Sequence, residues 1–257
     1  MVAQRVNRSA QELLRARLTA GLVTPPSRRE PGFDLEQAYA VAEQLRRAWV
    51  DRGRRMVGRK LGFTNKSIWP ELGLSEPIWA PMYDTTVQCQ DGEIMRHSLA
   101  GAVGPRIEVE VVVKLAAVAP VAIEWAALGY EIVQCHFPDW EFSCADAVAD
   151  FGLHRALLVG EPSSDVNKLD ELELTLSRNR ELVARGEAKS IFGGPVLAID
   201  WLVDILERQS DAPPLEPGEI VTTGALTGAH HVDVGERWIT EVTGGPSLLG
   251  PSLVIEK

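Results

Sequence analysis

The run Pro105-Arg106-Ile107-Glu108-Val109-Glu110-Val111-Val112-Val113 leaves the chain little freedom of local structure. β-Branched side chains sit well on a pleated surface, and apolar and charged residues alternate, so the run predicts a strand. Successive side chains of a strand point to opposite faces. Ile107, Val109 and Val111 therefore share one face, and Glu108 and Glu110 share the other. The stems of the two acids stand about 7 Å apart, two rises of ~3.3 Å. A solvated acidic face would account for them. If they are buried instead, repulsion and desolvation raise their pKa values, and a divalent cation removes the conflict. Oxygen-only ligands suit magnesium, manganese or calcium. A third carboxylate would complete such a site. Glu131, inside the apolar run Leu128-Gly129-Tyr130-Glu131-Ile132-Val133, is the best candidate, because a charge there is rarely buried without a partner. An exposed strand position is the alternative.

Composition excludes several classes of function. The formal net charge of -10 argues against nucleic acid or an acidic lipid surface as the main partner. It leaves room for a small anionic substrate in a local basic pocket. The most apolar region, 111–133, is interrupted by Lys114, Pro120, Glu124 and Glu131 and does not read as a membrane span. The first eight residues lack the apolar core of a signal peptide. Cys89, Cys135 and Cys144 have no zinc-like spacing and are odd in number, which fits free thiols in a reducing compartment. These features predict a soluble cytoplasmic protein.

Read in order, the chain begins helical. Ser9 with Glu12 forms a capping-box pattern, and Ala10, Leu13, Leu14 and Leu18 follow at helical spacing. Asp34 with Gln37 repeats the pattern ahead of an apolar stripe through Ala38, Val41, Ala42, Leu45 and Trp49. The texture changes at Met56, so a helical N-terminal region over 1–55 and a strand-rich domain over 56–257 are expected. Strands are predicted at 130–135, 172–177, 181–184, 219–223, 237–242 and 252–256, with Arg178-Asn179 as a hairpin turn. Helices are predicted from Ser143, with Asp146 as its box partner, and from Gly194-Pro195 to about residue 208. The loop between the first strand and Pro81, rich in tryptophan and proline, is long enough to cover something. The fold class is α+β with a β-rich core.

Several motifs in order carry a resemblance. They are Gly58-Arg59-Lys60-Leu61-Gly62-Phe63-Thr64, Pro105-Arg106-Ile107-Glu108-Val109-Glu110, Tyr130-Glu131-Ile132-Val133 with Asp139-Trp140, Asp146-Ala147-Val148-Ala149-Asp150, Gly194-Pro195, and Thr223-Gly224-Ala225-Leu226-Thr227 before Val234-Gly235-Glu236. Together they resemble the 2-keto-4-pentenoate hydratases and 4-oxalocrotonate decarboxylases, one branch of the fumarylacetoacetate hydrolase superfamily. The match spans nearly the whole chain. It implies a β-rich roll-like fumarylacetoacetate hydrolase catalytic core with a helical N-terminal region. It also implies one Mg²⁺ or Mn²⁺ held by Glu108, Glu110 and Glu131. The spacing from the second ligand to the third is shorter than in the hydratases, with Asp139 and Glu141 as fallbacks for the third.

The resemblance also assigns roles. Lys60 matches the lysine of the family's Gly-Arg-Lys-x-Gly motif and would transfer protons if partial burial depresses its pKa. Asp84 matches an acidic position and would pair with Lys60 or the substrate. Thr223 and Gly224 match the Thr-Gly turn that meets a substrate carboxylate. Where hydratases of this branch carry Asn-Ala-Ser, this chain has Phe151-Gly152-Leu153-His154. That change predicts apolar surface, with Phe151 against the substrate; His154 reads either as compensation or as a structural histidine. The C–C hydrolases of the superfamily use a His-Glu pair ahead of the metal strand. This chain has no histidine before His97, which disfavours hydrolysis.

The expected activity is addition of water to a 2-hydroxy-2,4-dienoate to give a 4-hydroxy-2-keto acid. A 2-keto acid decarboxylase of the 4-oxalocrotonate type is the alternative, followed by a C–C hydrolase of a diketone and by a non-catalytic partner subunit. The expected partner is a small 2-keto or 2-hydroxydienoic acid. The resemblance further implies a homo-oligomer and association with other enzymes of the same pathway.

Overall fold

The computed structural model describes residues 2–257. Three helices come first, α1 (Val2–Thr19), α2 (Pro26–Arg29) and α3 (Leu35–Val50). The first begins well ahead of Ser9, which is not a cap but a buried residue of the helix interior. Val6 lies one turn before Ala10 and extends the apolar stripe N-terminally, so burial against the core outweighs the local capping pattern. Asp34 does cap α3, its carboxylate accepting the Gln37 N–H at 2.9 Å.

The sheet elements follow as β1 (Met56–Gly62), a short helix α4 (Trp69–Leu72), β2 (Ile78–Tyr83), β3 (Val87–Cys89), β4 (Met95–Ser98), β5 (Arg106–Val118) and β6 (Val121–Val133). Next come α5 (Cys144–Ala149), β7 (His154–Val159), β8 (Glu173–Arg178), β9 (Glu181–Glu187) and α6 (Pro195–Arg208). The chain ends in β10 (Ile220–Ala225), β11 (His230–His231), β12 (Arg237–Gly244) and β13 (Ser252–Glu256). α5 carries the complete Ser143–Asp146 capping box. The β8–β9 turn falls on Asn179 and Arg180, both at positive φ, one residue beyond the expected pair.

One sheet runs β2-β1-β10-β5-β6-β7-β3, with β11 also beside β5; a second runs β4-β13-β12-β8-β9. The interrupted apolar region of the sequence is the long β5–β6 hairpin, Pro120 falling at its tip. The odd-numbered residues of β5, from Ile107 to Leu115, face the second sheet. There they pack with Leu174, Leu176, Trp238, Leu253 and α6 in one apolar core. Helices α1, α3 and α5 share another core with β2 and with residues 133–137 and 151–153. On the even-numbered side of β5, Val112 joins a small third core with Met82, Ala127, Leu157 and Val159, and the end carrying Glu108 and Glu110 is left for the site. No helix among the described residues is long and apolar enough to cross a membrane.

Candidate active site

Three acids meet because of hairpin register. In the β5–β6 ladder Glu108 stands directly opposite Glu131, and Glu110 is two residues along the same face. One oxygen from each carboxylate lies within 4.8 Å of the others. Of the fallback acids, Asp139 lines the cavity outside this cluster, while Glu141 is an exposed partner of Arg28.

The neighbouring strand holds Glu110 in place. β10 gains one residue against β5 between Thr222 and Ala225, a bulge that turns a backbone N–H out of the ladder. Gly224 N–H donates to Glu110 Oε2 at 3.1 Å. Only glycine fits there: φ is +114° and a Cβ would stand 1.8 Å from Thr64 Oγ1. Gly224 thus serves the cluster by orienting the Glu110 carboxylate. Thr223 does not reach the cavity, because its hydroxyl donates to Val111 O at 3.3 Å within the sheet.

Lys60 comes from β1, three strand positions from β6. On a flat sheet that separation is ~14 Å, and curling of the sheet closes it. Lys60 Nζ donates to Glu131 Oε2 at 2.8 Å and to Gly152 O at 3.1 Å, with the side chain buried. The other oxygen, Oε1, lies 2.8 Å from His154 Nδ1, and His154 Nε2 lies 3.0 Å from Thr86 Oγ1.

Charge divides unequally over this cluster. Burial raises Glu110 well above the carboxylate range, and Glu131 adds to it. Glu108, partly open to the cavity, is pushed up to about 7 by burial, with Lys60 opposing. Burial acts on Glu131 too, but the Lys60 ammonium and the His154 hydrogen bond outweigh it and hold the group down to about 2. Burial alone would depress Lys60, the condition attached to its proton-transfer role in the sequence. The attraction of Glu131, Glu108 and Glu110 exceeds that effect and raises its pKa. The lysine therefore stands in the cluster as a proton-bearing ammonium.

The cluster opens into a cavity of about 440 Å³. Lys60, Glu108 and Glu110 form its polar wall, Phe63, Ile78 and Leu153 an apolar one, and Arg106 stacks on Trp140 with 3.8 Å from guanidinium carbon to ring centroid. Arg106 forms no ion pair or side-chain hydrogen bond among the described residues, and its Nε is buried without a partner. Like Thr223, Asp84 and Phe151 are absent from the cavity lining. Asp84 lies beyond the far end of β2 and accepts the Arg55 N–H at 3.3 Å. It is four residues past Ala80, the residue opposite Lys60, so roughly 13 Å of extended chain separates it from the lysine's level. Phe151 points into the helical core, 5.9 Å from the Tyr83 ring and under the Arg17 guanidinium at 4.8 Å. Leu153, two residues on, does line the cavity. His154, weighed in the sequence as a compensating or structural histidine, proves to be the second hold on Glu131.

No model of a known protein family matches the chain. The chain is 32% identical over 252 residues to 2-keto-4-pentenoate hydratase 2 of Dechloromonas aromatica (strain RCB), covering 92% of this chain and 93% of that one. The chain belongs to the 2-keto-4-pentenoate hydratase family. Within this relationship it is also 29% identical to a 4-oxalocrotonate decarboxylase of Pseudomonas sp, covering 88% of this chain and 89% of the relative. In fold it is similar to the 4-oxalocrotonate decarboxylase of Pseudomonas putida G7, solved with magnesium and adipate, with TM-score 0.89 and 20% identity over 99% of this chain and 98% of that one. The fumarylacetoacetate hydrolase fold and helical N-terminal region expected from the sequence are thus present.

Proposed function

We propose that the protein is a divalent-metal-dependent lyase that hydrates a 2-hydroxy-2,4-dienoate to a 4-hydroxy-2-keto acid. The observation that carries this reading is the three-carboxylate cluster with Lys60 at its edge, open to a cavity sized for a small acid. The donor set fits a hard cation. It is all oxygen, and two of its acids have pKa values raised by burial and mutual repulsion, the strain that a 2+ charge relieves. Glu108, Glu110 and Glu131 would hold Mg²⁺ or Mn²⁺, which would supply Lewis-acid stabilisation of negative charge developing on a 2-keto acid.

The remaining work falls to the chain's own groups. Lys60 carries a proton at Nζ on the cavity wall and is the group placed to deliver it to, or take it from, the carbon chain of the substrate. Gly224 N–H keeps Glu110 in orientation. Phe63, Ile78 and Leu153 exclude water from the apolar length of the substrate. The cavity lining contains no histidine, and in the segment before β2 Glu76 is engaged with Arg208 at 2.6 Å. That supports hydration over C–C hydrolysis. One observation favours the decarboxylase as a second reading. Arg106 presents a guanidinium to the cavity without a protein carboxylate, and the second carboxylate of a dioic acid would supply one.

The setting proposed for this activity is the breakdown of aromatic compounds in the cytoplasm, by a homo-oligomer working beside other enzymes of the pathway. Three free cysteines and the acidic charge balance support the cytoplasmic part. The test is chelator-treated enzyme assayed with 2-hydroxypenta-2,4-dienoate before and after Mg²⁺ or Mn²⁺ is restored. Metal-dependent loss of the dienoate absorbance is expected. Release of CO₂ from a 2-keto dioic acid, with no hydration of any dienoate, would transfer the function to the decarboxylase.

A further inference from the structure

Glu131 is held at both oxygens, and the two holds differ in kind. A carboxylate oxygen only accepts, so His154 Nδ1, 2.8 Å from Oε1, carries the ring proton. The opposite nitrogen, Nε2, is engaged by Thr86 Oγ1 at 3.0 Å, and that hydroxyl also lies 3.1 Å from Tyr83 O. The residue is 2% exposed and off the cavity wall, and the contacts at both ring nitrogens hold the imidazole where it stands. Lys60 is the opposite case. Its ammonium ends a flexible four-carbon stem and lies at the cavity wall.

A cation shared by Glu108, Glu110 and Glu131 needs one Glu131 oxygen, and it repels an ammonium already standing there. Each carboxylate oxygen has lone pairs to spare, so the contest is decided by charge, and the ammonium on Oε2 is the donor that a neighbouring cation repels. The ammonium has the cavity to move into, and the imidazole is locked.

Resting on the metal centre proposed above, we propose that His154, fixed by Thr86, is the positioning residue that keeps Glu131 in its ligating orientation, and that Lys60 is the exchangeable occupant which a bound cation releases from Glu131 into the cavity. The ion pair then has a purpose beyond stability. It holds the lysine out of the substrate space until the site is filled. The segment Phe151-Gly152-Leu153-His154 contributes on both sides, Gly152 O receiving the ammonium and His154 the carboxylate.

Calorimetric titration of chelator-stripped protein with Mn²⁺ tests this on variants whose effects have opposite signs. His154→Leu should weaken Mn²⁺ binding ~10- to 100-fold, the usual effect of removing a group that orients a ligand. His154→Asn offers an amide N–H where Nδ1 stood and should return affinity to within ~3-fold of wild type. Lys60→Met removes the competing cation and should bind Mn²⁺ more tightly than wild type. Thr86→Val keeps the imidazole but frees it to turn, and should weaken binding severalfold even if His154→Leu fails to fold. Unchanged affinity in His154→Leu or Thr86→Val, no recovery in His154→Asn, or weaker binding in Lys60→Met would overturn the inference while leaving the metal centre standing. Absence of Mn²⁺ binding by the wild type would overturn the centre itself and the inference with it.

Discussion

Replacing Glu108 with glutamine should stabilise the metal-free protein above neutral pH. The acid is held up to about 7 in the folded chain against an ordinary value of 4.5. Folded protein therefore keeps a proton that the unfolded chain has released, and stability falls as pH rises between those two values. At ~1.4 kcal/mol for each tenfold step in proton affinity, the deficit is on the order of 3 kcal/mol above pH 7. Glutamine resembles the protonated acid and does not incur it. It also gives up the attraction between Glu108 and Lys60, so the net gain is about 1–3 kcal/mol at pH 8 and about 1 kcal/mol or less at pH 5. Glu131 does not interfere, since its depressed pKa of about 2 places its own pH effect below 4.5. Urea denaturation of chelator-treated wild type and Glu108→Gln at both pH values measures the difference. Mg²⁺ at about a thousand times its dissociation constant should then reverse the order, because wild type gains ~4.1 kcal/mol. A variant less stable than wild type at pH 8 without metal, or a difference equal at both pH values, would refute the reasoning.

Lys60→Met should retain Mg²⁺ and oxalate binding but lose most turnover, as measured by calorimetry beside steady-state kinetics; equal loss of both would make Lys60 a substrate clamp. Gly224→Ala should destabilise the fold by roughly 2–4 kcal/mol in denaturant titration, because the methyl group meets Thr64 and φ is positive. Asp150 is buried, yet the Arg17 guanidinium and His136 overcome that burial and hold its pKa below the usual carboxylate range. Its contribution is present above the ordinary carboxylate value and is lost as pH falls from there through the lower folded one. Arg17→Met should therefore cost ~3 kcal/mol and shift acid unfolding, followed by circular dichroism, to higher pH. Phe151→Ala should cost ~3–5 kcal/mol of stability with little change in substrate preference, whereas Leu153→Ala should alter the preference among dienoates of different chain length.

The parts of the site legible in the sequence are those that depend on one strand. Alternation alone places Glu108 and Glu110 on one face of β5 and sends Ile107, Val109 and Val111 to the other. Glu131 needs the β5–β6 register, which no local pattern specifies, so the residues named it only as a candidate and the resemblance made it a ligand. Asp84 and Phe151 fail for a related reason. A motif position says which residue type stands in a segment but not how far along a strand it lies, nor which way a tight turn aims it. The helix-like turn at 151–153 buries Phe151 and presents Leu153. The sign of the Lys60 shift was out of reach because it depends on three carboxylates from two other strands. Ser9 shows the same limit among the helices, where a capping pattern gives way to a buried stripe.

The tip of the β5–β6 hairpin lies many residues from Glu108 and Glu131, and that distance gives it latitude. Lengthening or trimming both arms equally beyond Lys114 and Trp125 leaves the Glu108–Glu131 pairing untouched. The number of residues between the second and third acids is then a free variable, which is how a shorter interval coexists with an intact cluster. Trimming a single residue on one arm, nearer the acids, would turn Glu131 toward the opposite face. A search that fixes the interval would pass over such chains, and one that fixes cross-strand pairing would find them. For a designer, the hairpin tip is a place to attach new sequence without disturbing the chemistry.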